Sequence, residues 1–103
     1  MFYTIQAPDE LNIALQIPAS KSISNRALIM QALTKGTTTL HHLSDCDDTH
    51  VMQHALHNMP RTIDIHGAGS AMRFLTAYLS IGEGEHILTG TARMQQRPIG
   101  ILV

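Results

Sequence analysis

The residues able to do chemistry are few and unevenly placed. Of the seven Lys and Arg residues in this 103-residue chain, five (Lys21, Arg26, Arg73, Arg93 and Arg97) fall in the stretches 20–34, 66–81 and 90–103, which contain none of the eight acids. Two of these stretches carry small residues where a helix is expected to begin: Ser20-Lys21-Ser22, and Gly67-Ala68-Gly69-Ser70. A helix start presents unpaired backbone N–H groups and the positive end of the macrodipole, and glycine lets an anion come close to the backbone. Arg26 stands four residues after Ser22 and Arg73 four after Gly69, each on the same face as its helix start, and Arg93 and Arg97 repeat that spacing. Guanidinium groups meet carboxylates and phosphates in a two-pronged fork, while a lysine such as Lys21 offers a mobile point charge. The pattern points to recognition of a small ligand carrying several negative charges.

Other chemistries fit less well. Gly67-Ala68-Gly69-Ser70 lacks the Gly-Lys-Ser/Thr ending of a Walker loop, and Met72 stands where a dinucleotide fingerprint needs its third glycine. His50, His54 and His57 share a helix face, with His41, His42, Asp45 and Cys46 just upstream, yet their spacing matches no closed zinc site. They read as a solvent-facing side opposite Val51, Met52, Ala55, Leu56 and Met59, and no metal and no cofactor is expected. Cys46 has no assignable base and is not read as a nucleophile.

Composition narrows the class further. A formal net charge of -1 lacks the basic surplus that drives nucleic-acid binding, so no nucleic-acid partner is expected. No apolar run approaches the roughly 20 residues that span a bilayer, and a single cysteine cannot form an internal disulfide. A cytoplasmic setting without a membrane partner follows as the expectation. With no Trp and four aromatic side chains, the core must be built from aliphatics and methionine.

The elements that must position the cations can be read from periodicity and punctuation. Residues 2–6 and 11–17 have β composition around a turn, which predicts a hairpin or neighbouring strands. After Pro18, residues 21–35 repeat apolar positions at Ile23, Ala27, Met30 and Leu33, a helix with Ser20 or Ser22 near its N-cap and Gly36 just past its end. Residues 37–40 read as a short strand, and an aspartate of the Asp45–Asp48 stretch can cap a second helix over 49–58, ended by Pro60. Ile63 and Ile65 alternate with polar neighbours over 61–66, a half-buried strand. A third helix follows with Met72, Leu75 and Leu79 on one face, then a strand over 86–89, a turn at 90–92 and a helix opening at Pro98. The order predicts a layered α/β fold of the α+β type.

The same three stretches resemble the EPSP synthase family of enolpyruvyl transferases. The resemblance rests on Pro18-Ala19-Ser20-Lys21-Ser22-Ile23-Ser24-Asn25-Arg26-Ala27-Leu28, on Gly67-Ala68-Gly69-Ser70-Ala71-Met72-Arg73 and on Arg93-Met94-Gln95-Gln96-Arg97-Pro98-Ile99-Gly100, in the family's order and spacing. It implies a two-domain fold of βαββαβ units, of which only the first part is present. Residues 1–18 would then belong with the other, carboxy-terminal domain, and 19–103 would form the first part of the amino-terminal substrate-binding domain, truncated. The implied reaction adds the 5-hydroxyl of shikimate 3-phosphate to C2 of phosphoenolpyruvate as C3 is protonated, and then expels phosphate.

By resemblance, Lys21, Ser22 and Arg26 meet shikimate 3-phosphate, and Lys21, Gly69 and Arg97 meet phosphoenolpyruvate. Ser70, Arg73 and Arg93 take supporting roles. Gly67 and Ser70 depart from the family's usual asparagine and threonine. The family's acid/base aspartate and glutamate lie later in a longer sequence, so no catalytic proton-transfer residue is expected in this chain and the isolated piece should not turn over. The full-length enzyme is expected to be a monomer. Two alternatives stay open: a UDP-N-acetylglucosamine enolpyruvyl transferase relative, and a stand-alone anion-binding or regulatory module.

Overall fold

Ser20 begins the first regular element. Its hydroxyl accepts a hydrogen bond from the Ile23 amide at 3.3 Å, capping helix α1 (Lys21–Thr34), which ends where Lys35 turns left-handed at φ 51°. The computed structural model describes residues 1–35 and 37–102; Gly36, expected just past the helix, and Val103 lie outside the described residues. Helix α2 spans Asp47–Asn58, strand β1 Thr62–Asp64, helix α3 Gly69–Ser80, strand β2 Ile87–Thr89 and the short helix α4 Ala92–Gln95. No helix among the described residues is long and apolar enough to cross a membrane.

The two strands pair in parallel, with Thr62 opposite Ile87, Ile63 opposite Leu88 and Asp64 opposite Thr89. A parallel pair needs a crossover, and α3 supplies it, so β1–α3–β2 is a β-α-β unit. The pairing continues past the strands: the Ile65 amide donates to Thr89 O at 2.8 Å and the Thr91 amide to His66 O at 3.1 Å. Ile63 and Ile65 are buried while Thr62 and Asp64 are exposed, which is the alternation the sequence predicted. Helices α1, α2 and α3 pack on one another, and the core gathers Leu28, Met52, Ala55, Ile63, Ile65, Ala68, Ala71, Met72, Leu75 and Met94. Three methionines help fill a core without tryptophan, as unbranched thioethers suit irregular gaps. The coarse expectation of a small α/β fold holds, with three main helices and a two-stranded parallel sheet.

Several expectations fail for identifiable reasons. Residues 1–18 form no strand and are exposed throughout, with Phe2 100% and Ile17 79% accessible. A strand needs a hydrogen-bonded neighbour, and no described segment lies beside them. Residues 37–40 likewise stay irregular. Cys46, not an aspartate, occupies the N-cap of α2 without a side-chain bond, and α2 starts two residues before the predicted 49, because Asp47 and Asp48 favour its first turn. The predicted turn at Ala92 instead opens α4 behind Thr91, whose hydroxyl accepts from the Met94 amide at 3.2 Å, and no helix begins at Pro98.

The apolar repeat of α1 does not mark its buried face. Ile23, Met30 and Leu33 are 71%, 65% and 51% exposed, whereas Ser24, Asn25 and Leu28 are buried. The inner face is decided by hydrogen bonds: the Thr49 hydroxyl donates to Asn25 Oδ1 at 2.9 Å, and the Ser44 amide donates to Ser24 Oγ at 2.9 Å. Buried polar groups that find partners can sit in a core, and these tie α1 to α2 and to the segment leading into it. Fully buried Leu75 and exposed Met30 therefore differ in consequence. Leu75→Ala is expected to destabilise the chain by about 2–5 kcal/mol and Met30→Ala by under about 0.5 kcal/mol, compared by thermal unfolding followed by circular dichroism.

Candidate anion-binding site

Three helix starts offer themselves to an anion, and their first turns differ. Asp47 and Asp48 occupy the first turn of α2 and neutralise its positive end. The first turns of α1 and α3 hold no acid, and the N-cap of α3, Ala68, makes no side-chain hydrogen bond to the helix amides. The backbone N–H groups of Gly69 and Ser70, both half-buried, thus form an uncompensated donor edge. Position 69 is set by the turn before it: His66 adopts a left-handed φ of 52°, its amide donates to Asp64 Oδ1 at 2.8 Å, and the Ala68 amide donates to Ile65 O at 3.0 Å.

Gly69 and Arg97 meet at this edge. A Cβ at residue 69 would overlap Arg97 Nη1, so the guanidinium lies against the bare glycine backbone at the first residue of α3. Two residues 28 positions apart in sequence are brought together because α3 follows β1 and Arg97 follows β2 and α4, with β1 and β2 held in register. Gly67 behaves differently: a Cβ there would meet nothing within 4 Å and its φ is not positive, so the turn does not require glycine.

The remaining expected site residues divide. Ser22 and Arg26 are neighbours, since Arg26 Nη1 donates to Ser22 O at 3.2 Å. Arg26 borders an apolar groove between α1 and α3 with Ile29, Leu33, Phe74 and Tyr78. Lys21, five positions earlier on α1, points instead toward α2, with its Nζ 3.7 Å from Asp48 Oδ1. Arg73 and Arg93 are exposed and make no ion pair or side-chain hydrogen bond among the described residues. Ser70 is half-buried beside Gly69. Of the three residues expected to meet one ligand, Gly69 and Arg97 are in contact, while Lys21 is turned to Asp48.

A cavity of about 750 Å³ lies between α2 and the turn after β1, lined by Asp47, Asp48, His50, His54, Asp64, His66 and Gly67 among others, with no lysine or arginine. Its acids make it a poor anion site. His50 pairs with Asp45 at 2.7 Å and His66 with Asp64 at 3.6 Å, and no group of three possible metal ligands forms among the described residues. Burial pushes the Cys46 thiol up, but hydrogen bonds with Ser44 and Thr49 outweigh this and leave it below its ordinary value. Thr49 Oγ1 stands 3.2 Å from Sγ, a hydroxyl rather than a base.

Charge and helix-start spacing do not single out Ser24, Asn25, Thr49 or Asp48, which join α1 to α2 and the segment before it. A signal was present: residues 21, 24, 25 and 28 trace one helical stripe, and its polar members invite a search for buried partners.

A family model described as EPSP synthase (3-phosphoshikimate 1-carboxyvinyltransferase) matches residues 5–65 and 60–103. A 3-phosphoshikimate 1-carboxyvinyltransferase from Bacteroides fragilis (strain YCH46) is 61% identical over 103 residues, covering 100% of this chain and 25% of that protein. The proteins of the same name from Shewanella woodyi and Vibrio campbellii are 44% and 39% identical, covering 86% and 97% of this chain and 27% and 30% of their own lengths. No solved structure matches. The chain belongs to the EPSP synthase family and spans about a quarter of the length of these relatives.

The contact between residues 69 and 97 is directly testable. Gly69→Ala is expected to displace the Arg97 guanidinium and shift its side-chain nitrogen NMR signals, whereas Gly67→Ala, built into open space, should leave them in place.

Proposed function

We propose that this chain is the leading portion of an enzyme that transfers the enolpyruvyl group of phosphoenolpyruvate to the 5-hydroxyl of shikimate 3-phosphate, releasing phosphate. The observation that carries the reading is Arg97 lying on the bare backbone of Gly69 at the acid-free start of α3. A carboxylate or phosphate placed there would receive backbone N–H donors and a guanidinium fork together. The name shared by relatives up to 61% identical supports the substrate pair.

In this reading Lys21, Gly69 and Arg97 hold phosphoenolpyruvate, and Lys21, Ser22 and Arg26 hold shikimate 3-phosphate. Ser70, Arg73 and Arg93 add positive or hydrogen-bonding character around them. Negative charge grows on the phosphate as it leaves the tetrahedral intermediate, and prearranged cations stabilise that charge while holding the carboxylate in place. The proton transfers belong to residues outside this chain. Lys21 and Gly69 would converge on one substrate when the ligand itself bridges α1 and α3. Residues 1–18, exposed and carrying Leu11, Ile13, Leu15 and Ile17 at alternate positions, fit a strand pair completed by the other domain, and residues 19–103 fit the opening of a βαββαβ domain.

In the whole enzyme, Lys21→Ala or Arg97→Ala is expected to lower kcat/KM by about 10²–10³, the scale of a lost charge-stabilising donor at about 2.7–4 kcal/mol. Near-normal kinetics in both variants would overturn these assignments. The 103-residue chain alone should show no turnover. Release of phosphate from the two substrates by this chain would place the proton-transfer groups inside it, and a lack of heat with shikimate 3-phosphate in calorimetry of the whole enzyme would favour a module serving another anion.

A further inference from the structure

We infer that Asp48 is a positioning residue that holds Lys21 for its substrates. Lys21 is the first residue of α1, where its positive charge faces the positive end of the helix macrodipole, an arrangement that is unfavourable without a neighbouring anion. Asp48 supplies one. It comes from the first turn of α2, its side chain is 15% exposed, and its Oδ1 lies 3.7 Å from Lys21 Nζ. Asp47 next to it is exposed and makes no such contact.

The carboxylate is fixed more firmly than an exposed ion pair would be. Thr49, the following residue, donates to Asn25, one helical turn beyond Lys21, at 2.9 Å, so the Lys21–Asp48 and Asn25–Thr49 pairs are successive rungs between the same two helices. Asp48 Oδ2 is buried and has no hydrogen-bond partner among the described residues. A largely buried carboxylate of this kind is costly unless it is paired, and Lys21 is the cation within reach. A lysine side chain is flexible, so a fixed counter-charge narrows the positions its ammonium visits before substrate arrives. About half of the Lys21 side chain stays exposed, at 47%, which leaves its ammonium able to face a ligand.

The ion pair stands on geometry, while its use for catalysis rests on the proposed function, and two measurements separate them. The first is a double-mutant cycle on kcat in the whole enzyme with shikimate 3-phosphate and phosphoenolpyruvate. Asp48→Asn is expected to lower kcat about tenfold with a smaller change in KM, and to add no further loss in a Lys21→Ala background. Asp48→Glu should recover part of the rate. Independent, multiplicative losses would overturn the inference, since a purely structural role of Asp48 would not depend on Lys21.

The second is the rate at which the Lys21 amine is acylated in the same protein without substrates, read by mass spectrometry. Asp48→Asn should raise it severalfold relative to Lys35, and an unchanged ratio would overturn the pairing. A wild-type enzyme inactive on these substrates, with the Lys21 labelling change intact, would overturn the proposed function and leave the pairing supported.

Discussion

The hydrogen bond from the Thr49 hydroxyl to the Asn25 side-chain carbonyl determines much of what surrounds it. Both residues are buried, at 0% and 1% exposure, and the bond joins α1 to the first turn of α2. Replacing either partner alone would leave a buried polar group unsatisfied, a loss of about 1–3 kcal/mol. With the Ser44 to Ser24 bond beside it, this seam fixes how α1 is rotated. It turns Lys21 toward α2, sends Arg26 to the groove beside α3, and leaves Ile23, Met30 and Leu33 outward. A purely apolar contact between the helices would tolerate several rotations, whereas directional bonds accept one.

That is also why the sequence was legible in some places and opaque in others. Ile63 and Ile65 alternate with polar neighbours, and the strand lies there because period-two burial leaves a clear trace. Met72 and Leu75 face inward on α3 as their spacing requires. Helix α1 follows its apolar period, but that period does not mark its buried side, because hydrophobic spacing does not report hydrogen bonds made by Ser24 and Asn25. The expected strands over 2–6 and 11–17 had β composition, and composition cannot provide a neighbouring strand.

The candidate site divides along the same line. The acid-free helix starts could be read from residue type and spacing, since small residues before a helix and isolated arginines have a direct electrostatic meaning, whereas the roles proposed for Gly69 and Arg97 rest on the family resemblance. Their mutual contact could not be read that way, because it depends on two strands pairing across a whole β-α-β unit. Nor could the role of Asp48, which reads in sequence as one of a pair of ordinary first-turn acids and is singled out by its burial against Lys21. The two acids have a further effect: they offset the positive end of α2, and Asp48 also partners Lys21 at the start of α1, which leaves the start of α3 more positive than either.

The register between β1 and β2 acts as a ruler for the site. Arg97 is carried on the segment leaving β2 and Gly69 on the segment leaving β1, so sliding one strand by a single residue would move them apart by about 3.3 Å and reverse the faces of the side chains. Length changes during evolution are therefore not equivalent along this chain. Extra residues between the end of α3 and the start of β2, at 81–86, enlarge an exposed loop and leave the ruler untouched. Insertions in the turn between β1 and α3, or between β2 and Arg97, would break that contact even where every charged residue is kept.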